Sequence, residues 1–510
     1  MKSRKGLVLV LLVLTLSLTT ATLINQSDLT APLIINNTHQ QSTPKSLNIK
    51  WGPEKLTPTN TTLNQLHPSV CCFPNGSGFV VAWESEQTGD SDIYVKLFDS
   101  SGNNLTDDIL VNTYTTDLQF RPSVCCHSDG SFVVAWVGNG AEDDVGIYAK
   151  IFNSTGQNQT DDIFVNTNTY HNQGDPSVCC LPDGSFVVAW VSLHTDDSEI
   201  YFKLFNSTGY NTTDEIRVNT YTTGSQYFPC VSCFSNGTFI VAWSGEGQED
   251  SFGVYTKFFN STGHNQTDDI QVNTNTAGLQ HLPSVCCFPN DTGFVIAWHS
   301  KHTENWEVYC KLFNSTGVST TDEIRVNTNI TGTQLHTSVC CRPDGSFVVA
   351  WEGAQTGDYD IYAKIFDSSA NSLTDEIRVN DYTTYHQTWS SVCCFPDGSF
   401  IVVWESQNQD LSGSGVYFRI GQLETDLSPS LLMILLLAQS GTGASVPLLV
   451  GGILAVALVA GVIGYWWLKR SGVAEHPEGG PPKTPKTPKA PEPPPKAPKP
   501  VKAPKKWEPE

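Results

Sequence analysis

Seven copies of one pattern run through the middle of this chain. Each reads, in essence, P-S-V-C-C-x-P-D-G-S-F-V-V-A-W, then an acidic loop, then I-Y-x-K-x-F, then N-S-T-G, then T-D-E-I-x-V-N-T. The tryptophans that close F-V-V-A-W are Trp83, Trp136, Trp190, Trp243, Trp298, Trp351 and Trp404, spaced 53 to 55 residues apart. A strand-rich unit of that length cannot bury both of its faces alone, whereas stacked copies can. The period therefore predicts a radial repeat fold.

Within one copy, four strand candidates are bounded by turn residues. In the second copy they are residues 123–126, 132–136, 147–152 and 163–166, with Ser128-Asp129-Gly130-Ser131 as the tight link between the first two. Asp-Gly tolerates the positive φ that such hairpins need. Seven copies predict an all-β fold, a seven-bladed β-propeller of four-stranded antiparallel blades over residues 46–422. The seventh copy has no T-D-E-I-x-V-N segment. Residues 54–58 stand in that register before the first copy, so the N-terminal segment is expected to close the ring. Pro58 suits an outermost edge, where no ladder donor is needed.

The repeats resemble those of large bacterial and archaeal surface proteins that carry D-G-S-F-V-V-A-W and D-I-Y-A-K-I-F-D-S-S in tandem. The resemblance covers residues 68–420 and is sharpest at 344–351 and 360–369. It implies a propeller-like ectodomain of a cell-surface protein and no defined activity. The Trp-Asp ending of WD40 strands and the Asp-box of sialidases are both absent from the sequence.

The two ends fit a membrane-anchored chain. Residues 1–22 read as a signal peptide, with Lys2, Arg4 and Lys5 before an apolar run. Residues 23–45 and 423–445 read as linkers. Residues 446–468 carry no charge, end in Tyr465-Trp466-Trp467 and precede Lys469 and Arg470. That predicts a single transmembrane helix with a cytoplasmic C-terminus. Residues 469–510 are rich in Pro and Lys, which predicts a disordered tail and offers a docking site for a polyproline-binding partner. The formal charge of −22 conceals a stronger asymmetry: outside the signal and tail stand 16 basic against 46 acidic residues, a net of −30. Such a surface excludes nucleic acid and favours cations or basic partners.

Six copies carry adjacent cysteines, and the fourth reads Pro229-Cys230-Val231-Ser232-Cys233, exchanging serine with the first cysteine. Neighbours on a strand point to opposite faces, so one pair cannot simply staple one blade to the next. The fifteen cysteines read first as small buried residues where blades approach closely. Disulfides are the alternative. Without C-x-x-C pairs or accompanying histidines, a thiolate metal site finds little support.

The two sides of the disc differ. Of fifteen N-x-S/T sequons, Asn75, Asn236 and Asn290 fall in first-to-second strand turns. Asn104, Asn153, Asn158, Asn206, Asn211, Asn260, Asn265 and Asn314 fall in third-to-fourth strand loops, which emerge on the same side. Only Asn60 and Asn329 lie opposite. If glycosylated, that side is the sugared one, and it should face the membrane because the last strand leaves from it. The outward side holds acidic second-to-third strand loops of unequal length, among them 84–90, 352–358 and 405–413, and beside them fourth-to-first loops with Arg121, Phe228, His336 and Trp389. Its candidate binding residues are Asp90, Asp92, Asp143, Asp144, Asp196, Asp197, Trp306, Asp358, Asp360 and Trp389, since aromatic rings among carboxylates suit carbohydrate or a basic partner. Asp90, Asp92, Asp358 and Asp360 are also candidates for Ca²⁺, and no other cofactor is indicated.

The expectation is a single-pass surface glycoprotein that binds glycans or envelope and cell-surface proteins through this side, in adhesion or in the envelope. The alternative is an extracellular glycosidase or lyase. Catalysis needs a constellation that stands apart from the repeat, and none is visible in the sequence.

Overall fold

The computed structural model describes residues 46–140, 145–193, 197–248 and 250–424. The expected signal peptide, N-terminal linker, transmembrane helix and Pro/Lys-rich tail fall outside them. Among the described residues there is no helix, and the strands form seven antiparallel sheets, one per copy. The first blade comprises Gln65–Cys72, Gly78–Ser85, Asp92–Asp99 and Ile109–Leu110, in sequence order from axis to rim. The second strand, as in Phe132–Gly138, is buried at every residue. That is why F-V-V-A-W is apolar throughout rather than alternating: both faces of the sheet meet a neighbouring blade.

The core is divided into seven clusters, each shared by two adjacent blades. Val80, Ala82, Ile93 and Val95 of the first blade, for example, pack on Val124, Phe132, Val134 and Trp136 of the second. The seven tryptophans of F-V-V-A-W are fully buried. Burial favours an acceptor for the indole N–H, and in five blades the repeated glutamine supplies it. Trp136 Nε1 donates to Gln119 Oε1 at 2.9 Å and Trp351 Nε1 to Gln334 Oε1 at 3.0 Å. The same glutamines donate to loop carbonyls, as Gln119 Nε2 does to Asn139 at 2.8 Å. The lysine of the third strand is a tie between blades. Lys150 Nζ donates to the carbonyl of Val111 at 2.7 Å and to Thr113 Oγ1 at 2.9 Å on the preceding blade.

The closure follows the expected register. Lys55–Leu56 pairs with Tyr417 and Phe418 on the last strand, and Ile49–Trp51 extends the edge against Gly421–Leu423. Lys96 of the first blade then reaches Thr59 Oγ1 at 2.7 Å, where every other blade reaches its predecessor. The N-terminal segment thus stands in for the missing outer strand, at both hydrogen-bonding levels.

The cysteine expectation holds for thirteen of the fifteen, which are free thiols packed where blades meet, and needs correction at one interface. Cys125 and Cys180, from the second and third blades, form a disulfide with a Cα–Cα distance of 5.7 Å. Adjacent cysteines do point to opposite faces, but that lets each one serve a different neighbouring blade.

Candidate functional site

The innermost strand of every blade carries the same irregularity. Its register against the second strand slips by one residue, between Leu66 and Ser69 in the first blade and between Thr388 and Ser391 in the seventh. Two residues therefore oppose one tryptophan, which is a β-bulge. The first bulge residue has a positive φ in all seven blades: His67, Arg121, Asp175, Phe228, Leu282, His336 and Trp389, at 44° to 54°. The second is proline in five blades, which suits a position that gives no ladder hydrogen bond. The left-handed region is unfavourable for side chains other than glycine, by roughly 1–2 kcal/mol per residue. Here no blade uses glycine, and the seven positions hold six different residue types.

These residues line a cavity of about 290 Å³ at one mouth of the axial channel. The inner strands begin at that mouth, so it lies on the side of the second-to-third strand loops, opposite most of the sequons. Its wall is lopsided. From the sixth blade round to the third it is polar: His336 Nδ1 meets Glu352 Oε1 at 2.7 Å, and His67 Nδ1 meets Glu84 Oε2 at 2.9 Å. Arg121 is ion-paired to Asp175. Trp389 stands among them, stacked on His336 at 4.0 Å with its edge to His67 at 4.8 Å. The fourth and fifth blades contribute Phe228 and Leu282, an apolar wall.

The carboxylates also build the backbone of the mouth. Glu84, Glu352 and Glu405 each follow the tryptophan of the second strand, a position held elsewhere by Val137, Val191, Ser244 and His299. Glu352 Oε2 accepts the backbone N–H of Trp389 at 3.0 Å, and Glu84 that of Arg121 at 3.4 Å. The carboxylate of one blade therefore holds the bulge of the next. Glu352 is only 2 % exposed and Glu84 7 %. Burial raises the pKa of Glu405, against the lowering effect of its bond to Ser414 and of His67 nearby.

Beside the apolar wall lies a ledge of rings. His281 stacks on Phe252 at 4.4 Å, and Trp306 sets its edge to His299 at 5.0 Å and to His281 at 5.8 Å. Burial holds His281 down at about 4 and pushes His299 well below its ordinary value, with the charges of His336 and His281 adding to the latter. Both imidazoles are neutral at pH 7.

Of the residues singled out in the sequence, Trp389 stands in the mouth and Trp306 on the ledge. Asp90 and Asp358 are exposed on separate blades, Asp358 lying 3.9 Å from His386. Asp197 accepts the N–H of Gly224 at 2.9 Å. Asp92 and Asp360 are buried, 0 % and 1 % exposed, and each receives an asparagine N–H at 2.7 Å, from Asn112 and Asn380. They brace the outer strand rather than open onto solvent. Asp143, Asp144 and Asp196 lie outside the described residues. The aspartates do not converge, and among the described residues no three His, Cys, Asp or Glu side chains gather as a metal site. The sequons Asn104, Asn158, Asn211 and Asn265 are exposed, whereas the Oδ1 atoms of Asn153, Asn206, Asn260 and Asn314 accept backbone N–H groups of their own turns.

Sequence reasoning passed over His67, Asp175 and Leu282, and placed Glu84, Glu352 and Glu405 in loops. The signal was a pair of columns: the first and the second residue after each repeated glutamine each hold six residue types in seven blades.

No family model matches the chain, and no curated protein matches it. Several solved structures are similar at the level of the fold. One is a protein of unknown function from Dyadobacter fermentans, 10 % identical, covering 74 % of this chain and 99 % of that one, with a TM-score of 0.47. Another is the α-L-arabinanase of Penicillium chrysogenum complexed with arabinobiose, 11 % identical, covering 72 % and 98 %, with a TM-score of 0.41. A third is a polysaccharide lyase, an ulvan lyase bound to a GlcA–Rha3S repeat, 10 % identical, covering 72 % and 95 %, with a TM-score of 0.47.

Proposed function

We propose that the propeller is a recognition module that takes the terminal sugar residues of a surface glycan into its axial mouth. The observation that carries this reading is the ring of seven bulge residues. A backbone conformation that disfavours side chains is repeated in every blade, yet it is filled with His, Arg, Asp, Phe, Leu, His and Trp. Strain of that kind persists where it aims a side chain at something.

The lopsided wall suits a sugar. A pyranose offers hydroxyls at its edge and C–H groups on its face, and the mouth offers the Asp175 carboxylate, the Arg121 guanidinium and the imidazoles of His67 and His336 opposite Phe228 and Leu282. The volume is at the lower end of small-molecule sites, roughly 300–1,000 Å³. In this reading the protein acts at the cell surface, with the mouth directed away from the membrane. A glycan panel presented to the full-length protein tests it: saturable binding of a defined saccharide, blocked by that saccharide in free form, is expected. Absence of any saccharide ligand removes the reading.

Glu405 favours a second reading, a carbohydrate-active enzyme. A carboxyl held towards its protonated form near the carboxylate of Glu84 and the imidazole of His67 is the arrangement a general acid requires. This reading predicts release of new chain ends from a bound glycan, abolished in Glu405→Gln while binding persists. A bound glycan that stays intact counts against it.

A further inference from the structure

The inner strands place the cysteines in a sequence of facing pairs. The first cysteine of each adjacent pair packs in the cluster shared with the following blade, and the second in the cluster shared with the preceding one. Cys71 thus lies in the cluster of Cys126, Cys179 in that of Cys233, and Cys286 in that of Cys341. Cys340 shares a cluster with Cys394, and Cys393 with Cys72. Cys125 and Cys180 occupy the same two registers and are already bonded. At two unbonded interfaces the first sulfur accepts the backbone N–H of its counterpart, Cys72 to Cys393 Sγ at 3.1 Å and Cys341 to Cys286 Sγ at 3.2 Å.

One interface differs. Between the fourth and fifth blades Ser232 holds the first-cysteine slot, and its Oγ accepts the N–H of Cys287 at 3.1 Å. Cys230 stands instead in the serine register, where Ser177 and Ser284 accept a valine N–H from the next blade. Cys310 is buried on a third strand, opposite Ala297.

We infer that the facing cysteines form six inter-blade disulfides, Cys71–Cys126, Cys125–Cys180, Cys179–Cys233, Cys286–Cys341, Cys340–Cys394 and Cys393–Cys72, a covalent necklace around the channel that is open only at Ser232. It runs from the fifth blade through the seventh and first to the fourth. Cys393–Cys72 joins blades that the sequence separates by 321 residues, so the ring is fastened where the chain itself does not continue. The unstapled interface lies beneath Phe228 and Leu282, the apolar wall of the mouth.

Each bond forms by thiol–disulfide exchange with an oxidised disulfide reagent. One cysteine thiolate displaces a thiol from the reagent, and its partner then displaces the second. Two electrons pass to the reagent disulfide for every bond, and the two thiol protons end on its two released thiols.

The test uses full-length protein equilibrated with oxidised glutathione, denatured without reductant and alkylated. Three thiols are expected to react, Cys230, Cys287 and Cys310, and all fifteen after reduction. Peptic digestion without reductant should leave the seven inner-strand peptides as one covalent species that separates on reduction. Ser232→Cys should add a seventh bond, to Cys287, and lower the count of reactive thiols from three to two. Thirteen reactive thiols, bonds between adjacent cysteines of one strand, or peptides joined only in twos would overturn the inference. The wild-type map decides the matter even if Ser232→Cys does not fold.

Discussion

At the scale of single residues, the same side-chain type does opposite work at different positions. The glutamine at the start of the inner strand is fixed by a buried indole in five blades and by loop carbonyls, so its repetition has a structural cause. Two residues further on, His67, Arg121, Asp175, Phe228, Leu282, His336 and Trp389 share a backbone that none of them favours. If those side chains are kept for a ligand, removing one should relieve the backbone. Phe228→Gly is therefore expected to change stability by no more than about 1 kcal/mol, because relief of the left-handed strain offsets lost burial and the added freedom of the unfolded chain. A stability several kcal/mol lower, from a reduced urea midpoint at unchanged slope, would show that Phe228 is packing and not display.

The ledge sets a pH dependence. Burial lowers His281 to about 4, so the folded form binds its proton less readily than the unfolded chain does, whose histidine titrates near about 6.5. The contribution is fully present above the unfolded value and is lost as pH falls from about 6.5 towards about 4. His281→Phe should lessen the loss of thermal stability across that window, leaving the part that His299 contributes. An unchanged slope would mean that His281 is not desolvated in solution.

Elements explain what could be read in advance and what could not. Strand positions, the Asp-Gly turns, blade number and the closure by Lys55–Leu56 were all legible, since each rests on local turn chemistry or on a missing segment in a counted repeat. The bulge was not. A bulge with positive φ is usually announced by glycine, and Pro68, Pro122 or Pro176 signals only a lost donor. Loop reasoning also placed Glu84, Glu352 and Glu405 one strand-end too far, because an acidic residue after F-V-V-A-W looks solvated. In the fold each is turned inward to hold the next bulge. The Cys125–Cys180 bond escaped notice for a related reason: opposite-facing neighbours exclude one staple per pair but permit two. The closing segment carries its own prediction. Without residues 46–59 the last strand, Ser414–Leu423, becomes an unpaired edge and Lys96 loses Thr59. Such an edge is a template for pairing between chains. The truncated protein should form higher oligomers in size-exclusion chromatography; a monomer with the parent's stability would contradict the closure.

For the molecule as a whole, repetition divides scaffold from site. Seven equivalent interfaces bury the tryptophans, and seven lysines or arginines tie each blade to the one before. None of these can single out a ligand, because each occurs all the way round. Symmetry fails at the axial mouth, where polar residues from the sixth blade to the third face Phe228 and Leu282. The exposed aspartates of the rim, Asp90 and Asp358, are scattered by comparison. The central claim is that recognition belongs to the mouth and not to that acidic rim. Calorimetric titration of the glycan that binds the full-length protein decides between them, using Asp175→Asn and Trp389→Ala against Asp90→Asn with Asp358→Asn. The mouth variants should weaken binding about tenfold or more, equivalent to ~1.4 kcal/mol or above, and the rim variant should bind as the parent does. Full affinity in the mouth variants with loss in the rim variant would contradict the account.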